Sequence, residues 1–265
     1  MSVFSSPVPL PVIVTRLRAA GCVFAEDEAE LLVSAAPTSA DLAAMVERRV
    51  AGEPLEHVLG WAEFCGLRVA VEPGVFVPRP RTGFLIDQAA ALAGRVAGTP
   101  VVLDLCCGTG AMGAALAARL ERAELHAADL HPAAVRCARR NLPGAHVYEG
   151  DLYEPLPATL RGRVDLLITS PPYVPSGSVG LLPPEARLHE PLMALDGGDD
   201  GLDVVRRVIA GAPDWLAPGG HLLVETSERQ AAPTADAVAG AGLTVRVAVS
   251  GELDATAIIG ARRRS

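Results

Sequence analysis

From residue 100 onward the chain alternates short apolar strands with helices, and this alternation constrains the fold more than any other feature. VVLDL (101–105), LHAAD (125–129), HVYEG (146–150), DLLIT (165–169) and HLLVE (221–225) read as strands, with helices at 111–120, 132–141 and 203–216. On the last of these, Leu202, Val205, Ile209, Ala212 and Leu216 recur at helical spacing. A helix near 230–241 and two final strands, LTVRVAV (243–249) and ATAIIGA (255–261), complete the series. Strands joined by helical crossovers lie parallel, with helices on both faces, while two consecutive strands close as an antiparallel hairpin. The expectation is an α/β doubly wound, seven-stranded sheet.

The first part of the chain has a different rhythm. Val14, Leu17 and Ala20 precede Gly21; Ala29, Leu32, Val33 and Ala36 share a helical face; Thr38 or Ser39 caps a helix reaching Val50 with Leu42, Met45 and Val46 on its apolar side. Residues 61–77 read as two short β runs around Cys65-Gly66, and a proline-punctuated stretch, 77–81, leads into a helix over 84–97. The pattern divides the chain into residues 1–72, a helical substrate-docking unit with a hairpin, and residues 73–265, the doubly wound domain. Half of the residues are hydrophobic, enough for a sizeable core.

The run DLLITSPPYVP (165–175) ends its strand in two prolines, which cannot donate ladder hydrogen bonds. The strand thus gives way to a rigid elbow, Ser170-Pro171-Pro172-Tyr173, carrying a hydroxyl, free carbonyls and an aromatic ring. Three further constellations stand at the ends of neighbouring strands. Asp104 opens the loop Cys106-Cys107-Gly108-Thr109-Gly110, where glycines let a ligand approach the backbone. Asp129, followed by Leu130, is positioned to accept two ribose hydroxyls, and Asp151-Leu152 to accept from an adenine amine. Taken singly, each is also an ordinary turn or helix cap. Together they suit an adenosine-containing ligand with no demanding phosphate site, and S-adenosylmethionine fits better than a dinucleotide. Methyl transfer to a nitrogen whose lone pair is delocalised requires acceptors that orient its N–H groups, which the Ser170 hydroxyl and the Pro171 carbonyl can supply, while Tyr173 stacks on the planar group.

These motifs, in this order, resemble the protein-(glutamine-N5) methyltransferases, the release factor glutamine methyltransferase family. The likeness includes Arg48-Arg49 through Leu55, Gly74 through Pro80, the 104–110 loop, Asp129, Asp151, the elbow, His189-Glu190-Pro191, Gly197-Gly198, Asp200-Gly201-Leu202, Pro218-Gly219-Gly220 and Glu225. The resemblance implies a class I S-adenosylmethionine-dependent, Rossmann-like fold with a small N-terminal helical domain, S-adenosylhomocysteine as product, and a Gly-Gly-Gln release factor as protein partner. It also implies a substrate site at Phe76, Pro78, Arg79, Ser170, Tyr173 and Glu190, with Arg79 and Arg81 lining its entrance. The chain departs from the family at Ser170, where the family has Asn, at Arg81, where it has Glu, and at its C-terminal end, which is similar to an actinobacterial offshoot.

Other acceptors stay open. A small-molecule amide or amine suits the hydroxyl-bearing elbow. Enzymes that methylate N4 of cytosine carry the same Thr-Ser-Pro-Pro-Tyr, but a net charge of −8, with all 23 basic residues arginine, weighs against a nucleic-acid partner. His57 and His189 read as packing or capping residues. The five cysteines lack CxxC spacing and read as reduced thiols, with no metal site. The opening MSVFSSPVPLPV shows no signal-peptide pattern, and no apolar run is long enough to span a membrane, so the reading is cytoplasmic.

Overall fold

The computed structural model describes residues 8–264; the start of the opening segment read for a signal peptide lies outside them. Four helices come first: α1 (Leu10–Ala19), α2 (Ala25–Ala35), α3 (Ser39–Val50) and α4 (Leu55–Leu59). A hairpin, β1 (Trp61–Phe64) and β2 (Leu67–Ala70), comes next. The remainder runs α5 (Gly83–Ala93), β3 (Val101–Leu105), α6 (Ala111–Arg119), β4 (Glu124–Asp129), α7 (Pro132–Asn141), β5 (His146–Glu149), β6 (Val164–Thr169), α8 (Pro184–His189), α9 (Asp203–Trp215), β7 (Leu216–Thr226), α10 (Ala231–Gly240), β8 (Thr244–Ser250) and β9 (Ala255–Ala261).

The large sheet has seven strands in the order β5-β4-β3-β6-β7-β9-β8. The pairs β4–β5, β3–β4, β3–β6 and β6–β7 are parallel, and β9 pairs antiparallel with both β7 and β8. Strand β3 is buried along its whole length because both faces are covered. One face packs Val102, Leu166 and Ile168 under α5, α6 and α7 (Ile86, Leu116, Ala138). The other packs Leu103, Leu167 and Leu222 under α9 and α10 (Val205, Ile209, Val238). The order reverses between β3 and β6, and ligands of such sheets bind beyond the strand ends at that switch point.

The helical segment has a core of its own, built from Ile13, Leu17, Ala29, Leu32, Val46 and Val58. Thr38 caps α3 by accepting the Asp41 N–H at 3.1 Å. The hairpin instead contributes Ala62, Phe64 and Val69 to the core beneath α5 and α6. The two parts are cross-linked where the buried His57 ring, through Nε2, lies 2.8 Å from the Val75 carbonyl.

Differences from the sequence reading are local. Val33, placed on the apolar face of α2, is 43% exposed. The helix over 84–97 stops at Ala93, where Gly94 and Gly98 break it. Strand β7 begins at Leu216 and runs through Pro218-Gly219-Gly220 across a register shift opposite Val164 and Leu166; a Cβ at Gly220 would meet the Val164 carbonyl at 2.6 Å. All five cysteines are free. Among the described residues, no helix is long and apolar enough to cross a membrane.

Candidate active site

Where β6 ends, the Thr169 hydroxyl donates to the Leu105 carbonyl at 2.9 Å, tying this strand end to the start of the glycine-bearing loop. The next residue, Ser170, lines three adjoining clefts: one of about 310 Å³ on the side of β4 and β5, one of about 40 Å³ over the loop, and one of about 360 Å³ on the side of α4 and α8. Phe76 is their other common wall. Both large clefts fall within the usual size range of ligand pockets.

The elbow is clamped from behind. The Tyr173 carbonyl accepts from Gln230 Nε2 at 2.8 Å, Val174 N–H donates to the Leu195 carbonyl, and Gly197 N–H to the Val174 carbonyl. A Cβ at Gly197 would come within 2.7 Å of the Pro172 carbonyl, and one at Gly201 within 2.3 Å of the Tyr173 carbonyl. Only glycine lets this loop close on the elbow.

On the β4 side, the carboxylate of Asp129 accepts the N–H groups of Gly108 and His131, both at 2.8 Å. Burial raises its pKa, and these two hydrogen bonds oppose the rise. Each oxygen keeps a second lone pair for a ligand. Asp129, Leu130, Asp151, Leu152, Cys106 and Gly108 all line the 310 Å³ cleft, and Cys107 and Thr109 line the small one with Pro78. Burial pushes the Cys106 thiol far up, so it stays protonated and unreactive. Asp151 is held by Arg207 Nη2 at 2.7 Å, a partner from α9 that the sequence pattern does not reveal.

Two loop residues stand behind the cleft rather than on it. Asp104 is fully buried; one oxygen accepts the Gly113 N–H at 2.9 Å and the other has no protein partner. Burial raises its pKa to about 8, against the Gly113 hydrogen bond and with a smaller push from Asp129. Gly110 has φ +76, and a Cβ there would strike Leu142 at 2.9 Å, so glycine is what allows α6 and α7 to meet.

The other large cleft is walled by ion pairs. Arg79 donates to both oxygens of buried Glu190 at 2.7 Å and lies 4.7 Å from the centre of the Phe76 ring. Burial raises the Glu190 pKa and Arg79 pulls it back. Arg81 Nη2 donates to the Tyr173 hydroxyl at 2.7 Å, and Arg81 Nε lies 3.5 Å from Glu225 Oε1, to which Tyr173 also donates at 3.5 Å. Burial, then the Glu225 charge, raises the Tyr173 pKa, so the phenol remains neutral. The second oxygen of Glu225 is buried without a partner. Arg207 and Glu185, which line the large clefts, and Gln230, which holds the elbow, could not be found by strand-end reasoning, because each comes from an element distant in sequence.

Residues 67–181 match the methyltransferase small domain family. A release factor glutamine methyltransferase of Streptomyces coelicolor is 42% identical over 70% of this chain and 67% of its own length. One from Geobacter sulfurreducens is 42% identical over 71% of this chain, which spans 65% of that relative. A 4-amino-L-phenylalanine/4-methylamino-L-phenylalanine methyltransferase of Streptomyces pristinaespiralis is 41% identical over 71% of this chain and 65% of its own. Among solved structures, a methyltransferase from Pyrococcus furiosus superposes with a TM-score of 0.55 at 17% identity, covering 75% of this chain and 90% of that one. The fold is therefore the Rossmann-like methyltransferase fold that the resemblance implied, built on the doubly wound sheet that the alternation of strands and helices implied.

Proposed function

This chain belongs to the release factor glutamine methyltransferase family, and from that premise we propose that it is an S-adenosylmethionine-dependent N-methyltransferase acting on a glutamine side-chain amide of a protein such as a peptide chain release factor. The observation that carries the reading is that Ser170 lines both large clefts, so a cofactor on one side and an acceptor on the other meet at its hydroxyl.

The cofactor cleft has the chemistry this group needs. Asp129, ionisable and braced by two backbone N–H groups, would hold the ribose hydroxyls; Asp151, neutralised by Arg207 on one oxygen, keeps the other for the adenine amine. Leu130 and Leu152 supply apolar faces for the base. Behind the loop, the buried Asp104 carboxyl accepts the Gly113 N–H and so braces the start of α6. When bound, S-adenosylmethionine would supply a methyl group on a positively charged sulfur and leave as neutral S-adenosylhomocysteine, one proton of the methylated nitrogen passing to solvent.

The protein's own work is positioning. The Ser170 hydroxyl and the Pro171 carbonyl accept from the amide N–H groups, which turns the nitrogen lone pair toward the cofactor side. Tyr173 covers the planar amide, its phenol fixed by Arg81 and Glu225. The prolines hold these acceptors in place beforehand, so little ordering entropy is lost on capture.

A second reading has an observation of its own. Arg81 lines the acceptor cleft half-exposed, while its carboxylate partner Glu225 is buried behind it, which suits the carboxylate of a free amino acid bearing an amine or amide; one relative's name describes such a substrate. Incubation with labelled cofactor and either a purified release factor or a panel of free amino acids separates the two. The leading reading expects one methyl group on a release-factor glutamine, located by tandem mass spectrometry; label confined to the amino acids overturns it.

A further inference from the structure

The helical unit reaches the acceptor cleft through one buried side chain. Arg49, at the end of α3, has a side chain only 7% exposed. Its Nε and Nη2 donate to the two oxygens of Glu28 at 2.6 and 3.1 Å. Its Nη1 donates to the Glu53 carbonyl at 2.9 Å and to the Glu185 carboxylate at 2.6 Å. Four of the five guanidinium N–H donors are thereby committed, and the planar fork has no freedom left to turn.

The two groups on Nη1 belong to two chain segments, distant in sequence, that both border one cleft. Glu53 is followed by Pro54, and Pro54 and Glu56 line the acceptor cleft on the α4 side; Glu185 and Ala186 line it from α8. Helix α8 is short: of its six residues only Ala186 is buried, Leu188 within it is 69% exposed, and Leu181 shortly before it is 84% exposed. Two tethers therefore set where this wall stands: the bond from the fixed Arg49 guanidinium to Glu185, and, just past the helix, buried Glu190 held by Arg79 and the Val77 N–H. The contact spans 136 residues of sequence.

We propose that Arg49 is a positioning residue that, through Glu185, sets the width of the acceptor cleft, making acceptor capture depend on the N-terminal helices while cofactor binding does not. The inference rests on the acceptor reading of that cleft.

Glu185 is the place to test it, because its side chain is half-exposed and its loss leaves the Arg49–Glu28 pair in place. Full-length Glu185→Ala and Glu185→Gln are compared with the native chain for release-factor KM, kcat, cofactor Kd and Tm. Hydrogen exchange is followed in segments 50–58 and 182–190 with S-adenosylmethionine bound and no acceptor added. Glu185→Ala should raise KM by about tenfold, as loss of one charge-assisted hydrogen bond implies. Cofactor Kd and Tm should not move, and exchange should quicken in both segments. Glu185→Gln, which keeps a neutral acceptor for Nη1, should fall between. Unchanged KM with unchanged exchange overturns the proposal, and so does a parallel loss of Tm and cofactor affinity. If the native chain methylates no release factor, the functional reading fails by itself, and the exchange measurement still decides whether Arg49 couples the two walls.

Discussion

On the side of Ser170 proposed for the cofactor, polar groups come from consecutive strand ends: the loop after β3 and the carboxylate that ends β4 meet across 21 residues of sequence, in the bond from Gly108 to Asp129. On the acceptor side they come from far apart: Arg81 reaches Tyr173 across 92 residues, Arg79 reaches Glu190 across 111, and Arg49 reaches Glu185 across 136. The first half is mostly backbone groups and carboxylates gathered at neighbouring strand ends, with one distant partner, Arg207, which reaches Asp151 across 56 residues. The second is made of side-chain contacts between distant elements, in which buried Arg49, Glu190 or Glu225 meets a more exposed partner. Of the two residues where the chain departs from the family motif, Arg81 lines only the cleft proposed for the acceptor, and Ser170 lines both large clefts.

The sharpest way to break that division is at the elbow. Tyr173→Ala and Ser170→Ala should each lower kcat about a hundredfold, the usual consequence of misplacing a reacting group, while cofactor Kd measured by calorimetry stays within about twofold. Asp129→Ala should do the reverse. It should weaken cofactor binding by about ten- to a hundredfold, from loss of charge-assisted hydrogen bonds worth about 1.5–3 kcal/mol, with most turnover recovered at saturating cofactor. Unchanged affinity in a folded Asp129 variant would remove this residue from the cleft.

A smaller effect is expected from Glu225→Gln, which keeps the side-chain shape but removes the charge opposite Arg81. Steady-state kinetics should show kcat lower by about three- to tenfold, because the Tyr173 phenol loses part of its restraint. A variant with native kcat would make Glu225 a packing residue only.

The smallest effect is a pH dependence. The folded-state pKa of Asp104, raised by burial to about 8 from an ordinary 3.8, means the folded chain holds this proton more tightly than the unfolded one. The associated stability is fully present below about pH 4 and is lost as the pH rises through about 8. Asp104→Asn, which cannot ionise, should therefore lose less Tm than the native chain between about pH 6 and 9. Equal losses would mean that Asp104 is already ionised at neutral pH.

The contrast also explains what can be read from the amino-acid sequence. Strands β3 and β9 and helix α7 are legible to the residue, since their apolar runs end at glycines, prolines or charges that mark the boundary. Asp129, Asp151 and the Ser170–Tyr173 elbow stand out because each lies at a strand end, where a doubly wound sheet gathers its ligands. Helix α8 is invisible at that level: six residues between prolines carry no periodicity. The partners Arg207, Gln230 and Glu185 are equally hidden, because an exposed-type residue on one element gives no hint of which distant group it will meet. Arg79 and Arg81 are expected at the entrance, but nothing in their spacing shows that each is backed by a buried glutamate.

The central claim, that the elbow presents a glutamine amide to the cofactor, is tested most directly by single-turnover transfer of a labelled methyl group to a release factor at saturating S-adenosylmethionine. The native chain and Ser170→Asn, which restores the residue found in the wider family, are measured side by side. The account predicts labelled glutamine from both, with the Asn variant at least as fast as the native chain. No label on glutamine from the native chain, or loss of transfer in Ser170→Asn, would contradict it.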